Sequence, residues 1–309
     1  MTDFGESWVT SPIERWATIL MKSGILFVLG GLAAWAYDNN WKPPSDLNWF
    51  RNDAKAVPTL LFLFGLLVVM ATASSILKHF DLLVLRLLEG YYWPKWLRDL
   101  EIHRQNVWWF KKRYKRLQEL GLKPYRSPKE EVEFAQLDEQ LMFIPREPAQ
   151  RMPTRLGNFL RAIESRPKQK YGLNAVVCWP RLWLVLPTEA KHELANARDN
   201  LDTMVRTWNW SLLFMVWSVW AWEWVIPLGL TALLITYRWI LQAAQVYGQL
   251  VESSFDLYRF LLYNELHWPL PQNSFEEKKQ GKQLTEYLWR GSEEENIRFF
   301  HSQTLFEKN

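Results

Sequence analysis

A single cysteine, Cys178, is all the thiol this 309-residue chain carries, which excludes an internal disulfide and a thiolate-rich metal site. It sits in the apolar run Ala175-Val176-Val177-Cys178-Trp179, where a lone cysteine packs as a small hydrophobe. Histidine is sparse too. The five (His79, His103, His192, His267, His301) are scattered without ligand spacing between any two, so no metal site and no cofactor is assigned. There is no His-Glu-x-x-His, no Walker loop, no Gly-x-Gly-x-x-Gly and no Gly-x-Ser-x-Gly, and the chain is read as non-enzymatic. The acids Asp3, Glu6 and Glu14 come early and no small-residue cleavage pattern follows the first apolar block, so no cleavable signal peptide is expected.

What the chain has is tryptophan and apolar blocks. Its mean hydropathy of −0.22 and 23% charged residues hide a strong segregation. Twenty tryptophans stand far above ordinary usage. Trp41, Trp49, Trp93, Trp96, Trp208, Trp210, Trp222 and Trp224 lie in or near the apolar blocks, as amphipathic rings do at a membrane interface.

Val57 to Leu77 is free of charge over a length that matches the ~20 residues needed to cross a bilayer core. A first span is expected from about Trp16 to Tyr37, with Lys22 snorkelling and Gly24, Gly30 and Gly31 allowing close helix contact. A polar connector containing Pro43-Pro44 joins the two. The apolar block from Thr207 to Gly248 is too long for one crossing, and Glu223 and Pro227 punctuate its middle. Both residues are costly inside a membrane helix and harmless in a turn. Spans at about 207–222 and 226–247 are therefore expected, with one bent helix as the alternative. The fold class is all-α. A hairpin at 1–77, a basic helical domain at 78–206, a second hairpin at 207–247 and a helical tail at 248–309 make four spans.

Lys and Arg number 5 before residue 78, 24 from 78 to 206 and 8 beyond, while the middle stretch holds 16 acids. Lys78, Arg86, Arg198 and Arg206 flank the spans, and the turn at 222–227 has no basic residue. The positive-inside tendency then places the middle domain and both termini in the cytosol of a prokaryotic inner membrane or a related internal membrane.

Within the middle domain, a helix is expected from Lys95 to Leu120, stopped by Gly121, with Leu100, Val107, Phe110, Tyr114 and Leu117 on a packed face. Its polar side carries Lys111, Lys112, Arg113, Lys115 and Arg116, either a solvated face or a surface for anionic lipid or a cytosolic protein. Ser127-Pro128-Lys129-Glu130 has the form of a capping box opening a helix over 128–142. Thr154 is expected to cap a short helix ended by Pro167, and Pro187-Thr188 to start one that runs on into the third span. No nucleic-acid module accompanies the basic residues, so no nucleic-acid partner is expected.

The stretch TRLGNFLRAIESRPKQKYG, followed by CWPRLW, resembles a motif of an uncharacterised family of multi-pass prokaryotic membrane proteins. It covers residues 154–187, including Thr154, Gly157, Asn158, Glu164, Tyr171, Gly172, Trp179, Pro180 and Arg181. The resemblance implies no activity, cofactor or substrate. Arg155, Arg161, Glu164 and Arg181 are expected to pair with one another, and Gly157 to permit close packing.

Along the fourth span, Thr231, Arg238, Gln242, Gln245, Gln249 and Glu252 recur at helical spacing on one face. With a turn at Pro227, Arg238 lies about 16 Å along the helix, near mid-membrane. Such a stripe either lines a pore or forms a dry seam between helices. The order of blocks also resembles that of bestrophin-type anion channels, which implies assembly and anion conduction. The functional expectation is a self-associating membrane protein, a homo-oligomer in the lipid bilayer and an anion channel. The alternative is a membrane-anchored scaffold whose basic domain recruits a protein partner or anionic lipid.

Overall fold

The computed structural model describes residues 25–41 and 56–291, and every regular element among them is helical. The start of the expected first span with Trp16, Lys22 and Gly24, the connector over 42–55 and the tail beyond residue 291 lie outside the described residues. The chain divides into two compact units, one from residues up to Leu85 together with Asp202–Ile240, the other from Arg86–Leu201 together with the chain from Leu241 onward.

The first unit contains α1 (Ile25–Asp38), most of α2 (Ala56–Glu89), the end of α8 (Thr188–Phe214), a 3-10 turn (Met215–Trp217) and the start of α9 (Ser218–Glu265). As expected, α2 continues past Lys78 and stops at Gly90, whose φ of 96° is open to glycine and strained for other residues. Among the described residues one helical run, Thr188–Glu265, is long and apolar enough to cross a membrane, with a mean hydropathy of 1.5. The four separate spans expected from the sequence are not supported by that measure.

The run is not straight. Ala221 leaves helical geometry (φ −149°, ψ 58°), and beyond it the chain folds back. A Cβ added to Gly229 would stand 2.9 Å from Met215 Cγ, and the Phe214 and Trp224 rings lie 6.4 Å apart. In a continuous straight helix, residues 215 and 229 would be about 21 Å apart. Thus the block forms a hairpin rather than one bent helix. The turn, however, is at Met215–Ala221 and not at 222–227; Pro227 lies inside α9. Packing explains the shift. Ala221 and Val225 are buried with Ala34 of α1 beneath Phe214, Trp217 and Trp224, and only a small side chain at 221 lets the backbone turn there.

In the same unit α1 runs alongside the first arm of the hairpin. Trp217 Nε1 donates to Phe27 O at 2.9 Å, a Cβ on Gly31 would meet Trp217 at 2.6 Å, and Tyr37 donates to Glu223 Oε2 at 3.1 Å. At the other end of that arm Arg206 donates to Asp81 of α2 at 2.5 Å.

The second unit contains α3 (Lys95–Arg104), a π-helical segment (Gln105–Phe110), α4 (Lys111–Gly121), α5 (Pro128–Met142), α6 (Arg155–Tyr171), α7 (Ala175–Val185), the remainder of α8 and α9, and α10 (Ser274–Arg290). The hairpin arms pair here too, with the Arg198 guanidinium 5.7 Å from the Tyr247 ring centre. The core is conventional: Leu173, Cys178, Leu182, Phe255, Tyr263 and Leu284 are buried among helices α6 to α10. Burial pushes the Cys178 thiol up to about 11, as suits a packed small hydrophobe.

The expected helix over 95–120 is interrupted. The π segment shifts the phase of everything after it, and Tyr114 is exposed; Leu100, which precedes it, is exposed as well, so the expected apolar face is not buried; the Val107 side chain lies outside the described residues. The segment has a structural use. It presents Gln105, Asn106 and Phe110 to the stretch 145–153: Gln105 donates to Pro153 O at 2.5 Å, and buried Arg151 donates to Asn106 and lies 3.5 Å from the Phe110 ring centre. A second correction concerns Pro167, which is buried inside α6 and does not end it. The helix runs to Tyr171 and stops at Gly172, whose φ of 77° supplies the left-handed cap. The two caps are as expected. Ser127 and Glu130 form a reciprocal capping box on α5, and Thr154 accepts from Gly157 N at 2.9 Å on α6.

Candidate functional site

A cleft of about 1010 Å³ opens in the second unit. Helices α3, α4, α5, α6 and α9 bring its polar residues together: Glu101, Arg104, Arg113, Arg155, Gln140 and Gln245. Phe143, Ile144, Phe159 and Leu241 make its apolar wall. Beneath them Asn158 is fully committed, donating to Gln105 Oε1 and to Met152 O and accepting from Met152 N, all at 2.8 Å. A buried amide satisfied on every side holds its neighbours in place.

The electrostatics are one-sided. Glu101 is the lone carboxylate in the lining, and it holds Arg104 at 2.7 Å. Arg113 and Arg155 share the same space. Burial, and next the nearby Arg155 guanidinium, lower the Arg113 proton affinity. Arg155 is exposed and enters no ion pair among the described residues.

This overturns the expected pairing of the motif's charges. Arg161 does pair with Glu164 at 3.0 Å, but Arg155 turns to the cleft and Arg181 donates to the backbone oxygens of Val177 and Leu288. The remaining motif residues are architectural. Thr154 donates to Glu89 O at 3.0 Å, and Gly157 leaves room for that same carbonyl. Tyr171 donates to Asp256 at 2.6 Å, Gly172 packs on α10, and Trp179 sits 5.8 Å from the Phe255 ring. Pro180 lies inside α7.

The polar stripe is divided among different surroundings. Thr231, Arg238, Gln242 and Gln249 are exposed, and Thr231 donates to Pro227 O at 2.8 Å. Gln245 lines the cleft. Glu252 is taken up by Arg166 and by Lys170, the latter at 2.8 Å, because α6 packs along α9 there. With the turn at Ala221, Arg238 lies 17 residues from it, about 25 Å of helix and not about 16 Å.

The basic cluster is also divided. Arg116 forms a two-pronged pair with Glu133 of α5, both contacts 2.8 Å, and Lys115 faces Glu119 at 3.9 Å. Lys111 and Lys112 stay exposed, and Arg113 lines the cleft. Sequence reasoning missed the joint use of Arg113 and Arg155. They are 42 positions apart, and neither carries a local signal beyond its charge.

No family model, curated protein or solved structure matches the chain. The resemblances read at residues 154–187 and in the order of blocks thus rest on this sequence alone, and the functional argument rests on geometry.

Proposed function

We propose that the chain is a non-catalytic, multi-pass membrane scaffold. In this reading four spans, at about 16–37, 57–77 and the two arms of the hairpin about Ala221, hold the basic helical unit on the cytosolic side, with both termini there too. The observation that carries it is the set of large apolar side chains that the first unit leaves outward. Leu26, Leu29, Leu32, Val219, Leu230 and Leu234 face outward, while Asp81 and Asn209 are buried. Water disfavours that arrangement and hydrocarbon favours it.

The ends of the hairpin fit the two edges of a bilayer. Trp222 and Glu223 follow directly on the turn at Met215–Ala221, as interface residues do. Because Met215 faces Gly229, residue 238 falls opposite residue 206, so Arg238 is level with the Asp81–Arg206 pair. A core of ~30 Å then puts Arg238 close to the cytosolic headgroups, where a long side chain can snorkel. A ring of arginines at mid-membrane, which the anion-channel reading needs, is less well served by that position. Self-association is the second reading, favoured by the outward-facing Arg238, Gln242 and Gln249.

Cysteine labelling in intact cells tests the proposal, with Cys178 buried and silent. Trp222→Cys should react with an impermeant reagent from outside, and Lys123→Cys only after permeabilisation. Outside labelling of Lys123→Cys, or release of the protein by alkaline carbonate, would overturn the arrangement.

A further inference from the structure

We propose that the cleft of the second unit binds a phosphate-headed amphiphile, with the phosphate among Arg104, Arg113 and Arg155 and one acyl chain along Phe143, Ile144 and Leu241. The inference rests on the scaffold reading only for the supply of lipid, since the cleft is built from the second unit alone.

Size comes first. About 1010 Å³ is at the upper end of the ~300–1,000 Å³ typical of small-molecule sites, more than a lone phosphate would fill. Charge comes next. Three arginines face one carboxylate, so the lining keeps an excess of positive charge even with Glu101 set against Arg104. Arginine's planar fork matches phosphate oxygens and binds them more strongly than neutral donors do. Arg113 and Arg155 come from different helices and line the same cleft, so an anion there would meet two guanidinium groups.

The other wall argues for the apolar half of the ligand. Phe143 and Phe159 lean on each other with ring centres 5.2 Å apart, and Ile144 and Leu241 extend the surface. A purely ionic ligand would leave this wall in contact with water. Gln105 and Asn158 are occupied with each other and with the backbone, so the floor is set before any ligand arrives.

The test uses the full-length protein in neutral detergent, offered phosphatidic acid and phosphatidylcholine with identical acyl chains, and retained lipid is counted by native mass spectrometry. Phosphatidic acid should be retained about tenfold over phosphatidylcholine, and Arg113→Gln/Arg155→Gln should lose that preference. Arg155→Gln alone, at an exposed position, should weaken retention by several-fold and keeps the test readable if the double variant does not fold. Equal retention of the two lipids, or a preference unchanged in the variants, would overturn the proposal. Displacement by equimolar inorganic phosphate would show that the headgroup alone is recognised and would overturn the acyl half. A failure of the topology experiment leaves this result intact, because binding is read without a bilayer.

Discussion

The two units of this protein fill their interiors with different side chains. In the second, large apolar side chains such as Phe255, Leu182 and Leu284 are fully enclosed, and charges form an outer network in which Lys170 contacts Glu252 and Asp256. In the first, Leu230 and Leu234 point outward, and the inside holds Ala34, Leu85, Val205, Ala221, Val225 and Ile240 together with the Asp81–Arg206 pair. The difference teaches that a helix's composition alone does not tell which way it faces. In the first unit small residues allow close helix contact, and the bulky ones are left for the surroundings.

Four perturbations break or sharpen that contrast. The largest effect is expected in the second unit, where Phe255→Ala empties a fully buried site and should cost about 3–5 kcal/mol in denaturant unfolding. The matching truncation in the first unit, Leu234→Ala, removes an outward side chain and should change stability in detergent by less than ~0.5 kcal/mol. Equal losses would erase the distinction between the units.

Next is the buried ion pair of the first unit. Asp81→Ala leaves Arg206 without its carboxylate and should cost about 3 kcal/mol. Replacing both partners with apolar residues of similar volume should restore most of that loss. A single variant as stable as wild type would mean that the pair is no more than a solvated contact.

The third prediction concerns pH. Burial, and then the nearby Glu164 charge, push the Glu89 carboxyl up to about 7 from its ordinary 4.5. The folded protein holds that proton more tightly than the unfolded chain. The stabilisation is therefore complete below pH 4.5 and is lost as pH rises through about 7. Glu89→Gln should flatten this part of the stability profile and raise stability at neutral pH, on the order of 2 kcal/mol after allowing for partial solvent access. A profile unchanged by the substitution would assign the pH dependence elsewhere.

The smallest effect belongs to the cap of α5. Ser127→Ala should cost ~1 kcal/mol, whereas Ser127→Asp should be tolerated because aspartate accepts the same N–H. Thermal melts of the three proteins decide it.

Local chemistry made much of this fold legible. The Ser127–Glu130 box, the Thr154 cap and the stop at Gly90 each depend on residues within a few positions of one another. What escaped the sequence was set at long range. The turn at Ala221 follows from packing beneath Phe214 and Trp217 and against Ala34, nearly 190 positions earlier, whereas Pro227 and Glu223 offered a nearer and wrong marker. Glu252 reads as part of a free polar stripe until Arg166 and Lys170 of α6 reach it. The π segment has no strong local signature; it is legible only through the stretch it holds, by Gln105 to Pro153 and by Asn106 and Phe110 to Arg151. Arg113 and Arg155 belong to different helices, and only the fold brings their charges together.

The central claim is that hydrocarbon surrounds the outward side chains of α9 and that Arg238 marks the cytosolic edge. Nitroxide labels placed at Leu230, Leu234, Arg238 and Gln242 in reconstituted bilayers measure it directly, by comparing collisions with oxygen and with a water-soluble nickel chelate. Oxygen should dominate at 230 and 234, and the ratio should turn towards water by 238 and 242. Water-dominated collisions at Leu230 and Leu234 would contradict the account.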